Sequence, residues 1–181
     1  NRPARGGQPD LRDLHSGNGG RCFLISGVDE MDLSKKVVIH RDPETVWKGL
    51  WNIEGVAGCI EGCKEVEVIE SNKRYGATVV ERVGPFLVSM KMEIDVVESE
   101  ENLRLAVEAR GTDGKLGTRV RWRADVGIEP EGDNQTAIDI RLHTEVRGKI
   151  ASLGEGLVKR KVHEGLEKFT SSFAQMIESE S

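Results

Sequence analysis

The sequence predicts an α+β fold in which a strongly curved antiparallel sheet of about seven strands packs its dry face against one long C-terminal helix. Three observations carry this expectation. Stretches between residues 86 and 146 alternate apolar and polar residues with a period of two, turn-forming residues separate them at short intervals, and the segment after residue 150 switches to an apolar period of three and four. Short antiparallel connections leave one sheet face dry, and the final helix is the element long enough to cover it.

Residues 1–30 read as a flexible extension or linker ahead of one domain at 31–181. They carry Gly6, Gly7, Gly17, Gly19 and Gly20 and no sustained period apart from a short apolar knot, Cys22-Phe23-Leu24-Ile25. So little apolar content does not offset a backbone ordering cost of about 1–2 kcal/mol per residue. Residues 33–39 then read as a short strand. Asp42-Pro43-Glu44 supplies an N-cap, a proline at the first helical position and an early acid, opening a helix with Val46, Trp47, Leu50 and Trp51 on one side. The glycine-broken stretch 55–62 gives at most one further turn.

In the meander, Phe86, Val88, Met90, Met92, Ile94 and Val96 share one parity against Ser89, Lys91, Glu93 and Asp95. Leu103, Leu105, Val107 and Ala109 repeat the pattern. Leu116, Val120, Trp122, Ala124, Val126 and Ile128 alternate with Arg119, Arg121, Arg123 and Asp125, and Ile138, Ile140, Leu142 and Val146 with Asp139, Arg141, His143, Glu145 and Arg147. Ser71-Asn72, residues 99–102, Asp113-Gly114 and residues 131–134 are turn chemistries, Asp-Gly being the strongest hairpin signal. The last helix carries Val158, Val162, Leu166, Phe169, Phe173 and Ile177, and Ile150, Leu153 and Leu157 extend its stripe backwards past glycines 148, 154 and 156.

Composition excludes several function classes. Among 181 residues, 26 lysines and arginines against 31 aspartates and glutamates leave a formal charge of −5, the wrong sign for a protein that neutralises phosphates, so no nucleic-acid partner is expected. With 31% charged residues, no window approaches the roughly 18 apolar residues of a membrane span. Three cysteines do not make a disulfide framework and no signal segment opens the chain, which points to a reducing cytoplasm.

No catalytic constellation emerges. His15 lies in the extension, His40 and His143 at wet or strand-end positions, and His163 one place off the helix stripe, while His143 beside Glu145 reads as an exposed sheet face. Cys59 and Cys63 are spaced unlike a zinc knuckle, so no metal and no cofactor is expected. Gly-Lys at 114–115 fails the phosphate-loop pattern. Arg119, Arg121, Arg123, Arg141 and Arg147 form a basic outer band interleaved with acids, either a solvated face or a docking patch for an acidic partner or anionic headgroups.

Element order and motifs together resemble a known family. Strand, short helices, six-strand meander and long helix follow the helix-grip fold of START-like (SRPBCC) domains. Pro43-Glu44-Thr45-Val46-Trp47, Cys59-Ile60-Glu61-Gly62-Cys63, Val83-Gly84-Pro85-Phe86 and the run from Val146 through Gly148 to Gly154 resemble the CoxG family of carbon monoxide dehydrogenase. The resemblance implies an accessory protein rather than an enzyme, with an apolar cavity for a lipid or quinone. It also implies association with a molybdenum-dependent carbon monoxide dehydrogenase or related oxidoreductase, whose membrane recruitment or electron-carrier delivery it aids, and hence peripheral contact at the inner face of the membrane. Cavity residues implied are Trp51, Phe86, Val88, Met90, Met92, Val107, Trp122, Ile140, Leu142, Leu153, Leu157, Leu166, Phe169 and Phe173, with an opening near Trp51, Cys59 and the turn at Gly84 to Phe86. On pattern alone, inward residues mixing large with small (Ala77, Ala109, Ala124, Thr144) fit either a void or an interlocked core. An enzyme of the same fold, such as a polyketide cyclase or aromatase, is the alternative, with Glu81 and Arg82 as exceptions to an otherwise apolar interior.

Overall fold

A computed structural model describes residues 28–180, so the 1–30 extension and its expected mobility lie, apart from the last three positions, outside the described residues. Those three are strand residues: β1 spans Val28–Ile39 and pairs antiparallel with β7, Gln135–Arg147, Val28 standing opposite Arg147. The strand starts earlier than its apolar pattern because β7 offers backbone partners along its whole length, whatever the polarity of Asp29 and Glu30.

Between them follow α1 (Pro43–Leu50), α2 (Ile53–Gly58), β2 (Cys63–Glu70), β3 (Arg74–Val83), β4 (Phe86–Glu100), β5 (Arg104–Asp113) and β6 (Thr118–Gly132); a 3-10 turn (Ala151–Leu153) then leads into α3 (Glu155–Ser179). The sheet is seven-stranded, curved and antiparallel throughout, in the order β1-β7-β6-β5-β4-β3-β2. The α+β expectation holds in full. No helix among the described residues is long and apolar enough to cross a membrane.

Local chemistry fixes the helix ends. The Asp42 carboxylate accepts from Thr45 N at 3.0 Å and Thr45 Oγ1 at 2.6 Å, and Asn52 caps α2 through Gly55 N at 3.1 Å. At the far end of α3, Arg41 donates to the carbonyls of Glu178 and Glu180, at 2.6 and 2.9 Å, satisfying acceptors the last helical turn leaves unpaired.

Two turns depart from the sequence expectation. Asp113-Gly114 is not a two-residue hairpin: β5 ends at Asp113, β6 resumes at Thr118, and the left-handed position is Gly117, φ +60°. The Asp113 carboxylate instead holds the four-residue loop, accepting from Lys115 N and Leu116 N, and it accepts from Ser89 N on β4 as well. Leu116 therefore sits in the loop. Leu103 belongs to a turn rather than to β5 and is 50% exposed, because Asn102 takes the left-handed conformation, φ 57°, just before it.

Apolar side chains fill the two ends of the space between sheet and α3. Met31, Val88, Met90, Val146, Ile150 and Val158 cluster at the N-terminal end of α3, whereas Ile39, Val46, Ile138, Phe173 and Ile177 cluster under α1 at its C-terminal end. The middle remains open.

Candidate ligand-binding cavity

That middle is a hollow of about 490 Å³, lined by the inner faces of β3 to β7, by α2 and by one side of α3. The structure brings ten of the fourteen expected residues onto its wall: Trp51 after α1, Val88 and Met90 on β4, Val107 on β5, Trp122 on β6, Ile140 and Leu142 on β7, and Leu166, Phe169 and Phe173 on α3.

Four stand elsewhere. Phe86 lies at the start of β4, its ring beneath the Lys149 ammonium at 4.8 Å, a cation–π contact. Leu153 and Leu157 pack toward the Gly84 turn, within 3.4 Å of where a side chain at 84 would begin. Met92 has the right parity but puts its sulfur over Gly111 on the neighbouring strand, filling the space that position leaves.

Sequence reasoning named Ala77, Glu81 and Thr144 as inward but missed the rest of the β3 wall, Tyr75, Val79 and Val83, and the hydroxyls of Thr118 and Thr170. The period-two signal of that wall was present at 75–83. Thr118 Oγ1 accepts from Ile150 N at 3.4 Å, the Thr170 hydroxyl donates to the Leu166 and Glu167 carbonyls at 3.0 Å, and the Tyr75 hydroxyl accepts from Asn72 N at 2.9 Å. Among the fully buried side-chain oxygens and nitrogens of the described residues lining the hollow, that of the Thr144 hydroxyl alone has no partner.

Charge is confined to the rim. Lys161 Nζ lies 2.5 Å from Glu81 Oε1, and Lys168 Nζ 2.5 Å from Glu61 Oε2. The hydrogen bond that Lys161 donates to Glu81 holds its ammonium above its ordinary range, and the one Lys168 donates to Glu61 holds that carboxyl below its own. Cys63 lines the hollow and Cys59 is buried beside it, both as free thiols pushed up by burial and therefore neutral near pH 7. No histidine lines the hollow among the described residues, and no cluster of metal-ligating side chains is found among them. His143 pairs not with Glu145 but with Asp32 across the β1–β7 register, Nδ1 to Oδ1 at 2.8 Å, while Glu145 accepts from Arg147.

Of the opening implied near Trp51, Cys59 and the Gly84 to Phe86 turn, Trp51 lines the hollow. Cys59 is buried, and neither Gly84 nor Phe86 lines it. Among lining residues the exposed ones are Ile60, Glu61 and Gly165, which put the opening between the α2–β2 loop and the middle of α3.

The sequence profile of the carbon monoxide dehydrogenase CoxG family matches residues 36–178, from within β1 to the end of α3, every element that walls the hollow. The chain belongs to the CoxG family. No curated protein matches this CoxG-family chain in sequence. Solved structures resemble it more widely. A conserved protein from Geobacillus kaustophilus is 20% identical, with a TM-score of 0.74 over 81% of this chain and 95% of that one. A START superfamily protein from Mycobacterium smegmatis is 18% identical, with a TM-score of 0.63 over 83% of this chain and 99% of that one. The Zhui aromatase/cyclase from Streptomyces sp. R1128 is 11% identical, with a TM-score of 0.57 over 83% and 93%. At these identities the likeness is one of fold, and that fold is the START-like helix grip.

Proposed function

We propose that this CoxG-family chain is a carrier, not a catalyst: it binds a long apolar molecule, a lipid or quinone, between the sheet and α3. In this reading it serves a carbon monoxide dehydrogenase-type molybdenum oxidoreductase, aiding its membrane recruitment or supplying its electron carrier from a peripheral position at the inner face of the membrane.

One observation carries the proposal: an unfilled, apolar hollow of about 490 Å³, within the range of small-molecule sites, whose charged lining residues are paired with each other or with a neighbour at its rim. Burying roughly 300–400 Å² of an apolar chain at about 25 cal/mol per Å² gives about 8–10 kcal/mol before ordering costs, enough for micromolar affinity. Loose selectivity follows, since apolar contacts discriminate weakly. A cyclase or aromatase of this fold would need an acid or base free to meet a substrate; Glu81 is engaged by Lys161, which favours the carrier.

Organic extraction of the purified chain followed by mass spectrometry tests this reading, together with titration of a pyrene-labelled long-chain alcohol. A co-purifying apolar molecule and micromolar binding that is lost in Trp122→Glu and Phe169→Glu, each folded by circular dichroism, are expected. Folded variants that still bind would move the ligand out of the hollow and overturn the proposal.

A further inference from the structure

We propose that the apolar ligand passes sideways into the hollow through a portal at Gly165, and that two ion pairs, Glu61–Lys168 and Glu81–Lys161, hold this portal closed. The proposal rests on the carrier reading and adds the route and the residues that set its rate.

The exposed lining residues locate the portal: Ile60 and Glu61 on one lip, Gly165 on the other. Lys161 and Lys168 lie seven positions, about 10 Å of helix axis, apart on α3, with Gly165 between them. Each reaches off the helix to a different part of the facing wall, Lys161 to Glu81 on β3 and Lys168 to Glu61 ahead of β2, so the two pairs frame the gap. α3 packs on β1, on the 3-10 turn and on α1, and besides Leu157 at the Gly84 turn these ion pairs link it to the opposite edge of the sheet.

Gly165 fits the same reading. Glycine is disfavoured in a helix interior, and a Cβ here would meet no atom within 4 Å, so packing does not require its absence. A missing side chain leaves unobstructed the one α3 position that both lines the hollow and is exposed. Ile60, an exposed apolar residue on the other lip, offers a first contact for an incoming chain. Part-exposed ion pairs are weak and screened by salt, so they suit a closure that opens by thermal motion rather than a permanent seal.

Stopped-flow exchange of the pyrene-labelled alcohol, using the full chain, tests the portal separately from the site. Lys161→Gln with Lys168→Gln, or a rise in salt from about 0.05 to 0.5 M, should speed both association and release by about three- to tenfold. Gly165→Trp should slow both rates at least about tenfold, and Gly165→Leu should slow them less. Binding with rates unchanged in folded Gly165→Trp and in the double lysine variant would overturn the portal and leave the carrier standing. Failure of the native chain to bind the probe would overturn both.

Discussion

A side chain on Gly49 would occupy the place now held by the terminal methyl of Ile177. α1 and α3 meet backbone to side chain at this point, and Ile177 is fully buried there. This contact seats the C-terminal end of α3 under α1 and closes the hollow on that side, with Phe173 next in the stack.

Gly49→Ala should therefore destabilise the fold although alanine is the better helix former. Displacing a buried isoleucine methyl costs about 1–3 kcal/mol, against roughly 1 kcal/mol gained in helix propensity. Ile177→Val alone should cost about 0.5–1.5 kcal/mol. Since valine lacks the obstructing methyl, the double variant should be more stable than the sum of the two single losses, a coupling that urea denaturation of all four proteins measures. Strict additivity would mean that the helices do not touch here.

The Asp32–His143 pair gives a pH signature. The hydrogen bond that the His143 ring donates to the Asp32 carboxylate raises the His143 pKa above its ordinary value. A raised folded value means that stability from this pair is fully present below the ordinary histidine pKa, about 6.5, and is lost as pH rises through the folded value. Proton NMR should show His143 titrating above that ordinary value, and Asp32→Asn should bring it back. An unmoved titration in Asp32→Asn would assign the shift to another group.

Asp113 acts in the opposite sense. Hydrogen bonds from the Ser89, Leu116 and Lys115 backbones hold its carboxyl below the usual range. Its contribution is present above the ordinary carboxylate pKa and fades as pH falls through the lowered value. Asp113→Ala should destabilise more than Asp125→Ala, an outer-face acid whose partner Arg123 keeps Glu108, and the gap should narrow in acid. Equal losses at neutral pH would demote the loop to an ordinary turn.

Periodicity reports which face of an element is dry, and that is why the strands from β4 to β7 and the stripe of α3 were legible in the sequence. It does not report how far along an element a residue sits. Phe86, Leu153 and Leu157 share parity or stripe with wall residues yet fall beyond the end of the hollow, at the Gly84 turn. Met92 shows a second limit, since its flexible side chain turned toward the gap left by Gly111 on the adjacent strand. The rim pairs Glu61–Lys168 and Glu81–Lys161 join residues 80 or more positions apart, and no local pattern marks them. The Asp-Gly dipeptide predicted a turn in the right place but not its length, which Gly117 sets by taking the left-handed conformation.

Ala124, a small residue on β6 opposite Leu142 on β7, decides between an unfilled hollow and an interlocked core. Where neighbours leave space, a larger apolar side chain buries new surface without displacing others, so Ala124→Leu should stabilise the ligand-free protein by about 0.5–2 kcal/mol. Where side chains interlock, the same substitution overpacks and costs about 1–3 kcal/mol. The two outcomes differ in sign, so thermal unfolding of delipidated protein separates them. In the hollow the added side chain also takes volume from the ligand, and affinity for the pyrene-labelled alcohol should fall at least about tenfold, the equivalent of roughly 1.4 kcal/mol. Stability gained together with affinity lost is expected; stability lost with affinity unchanged would mean that the space beside Ala124 is core and that the ligand, if bound, lies on the surface.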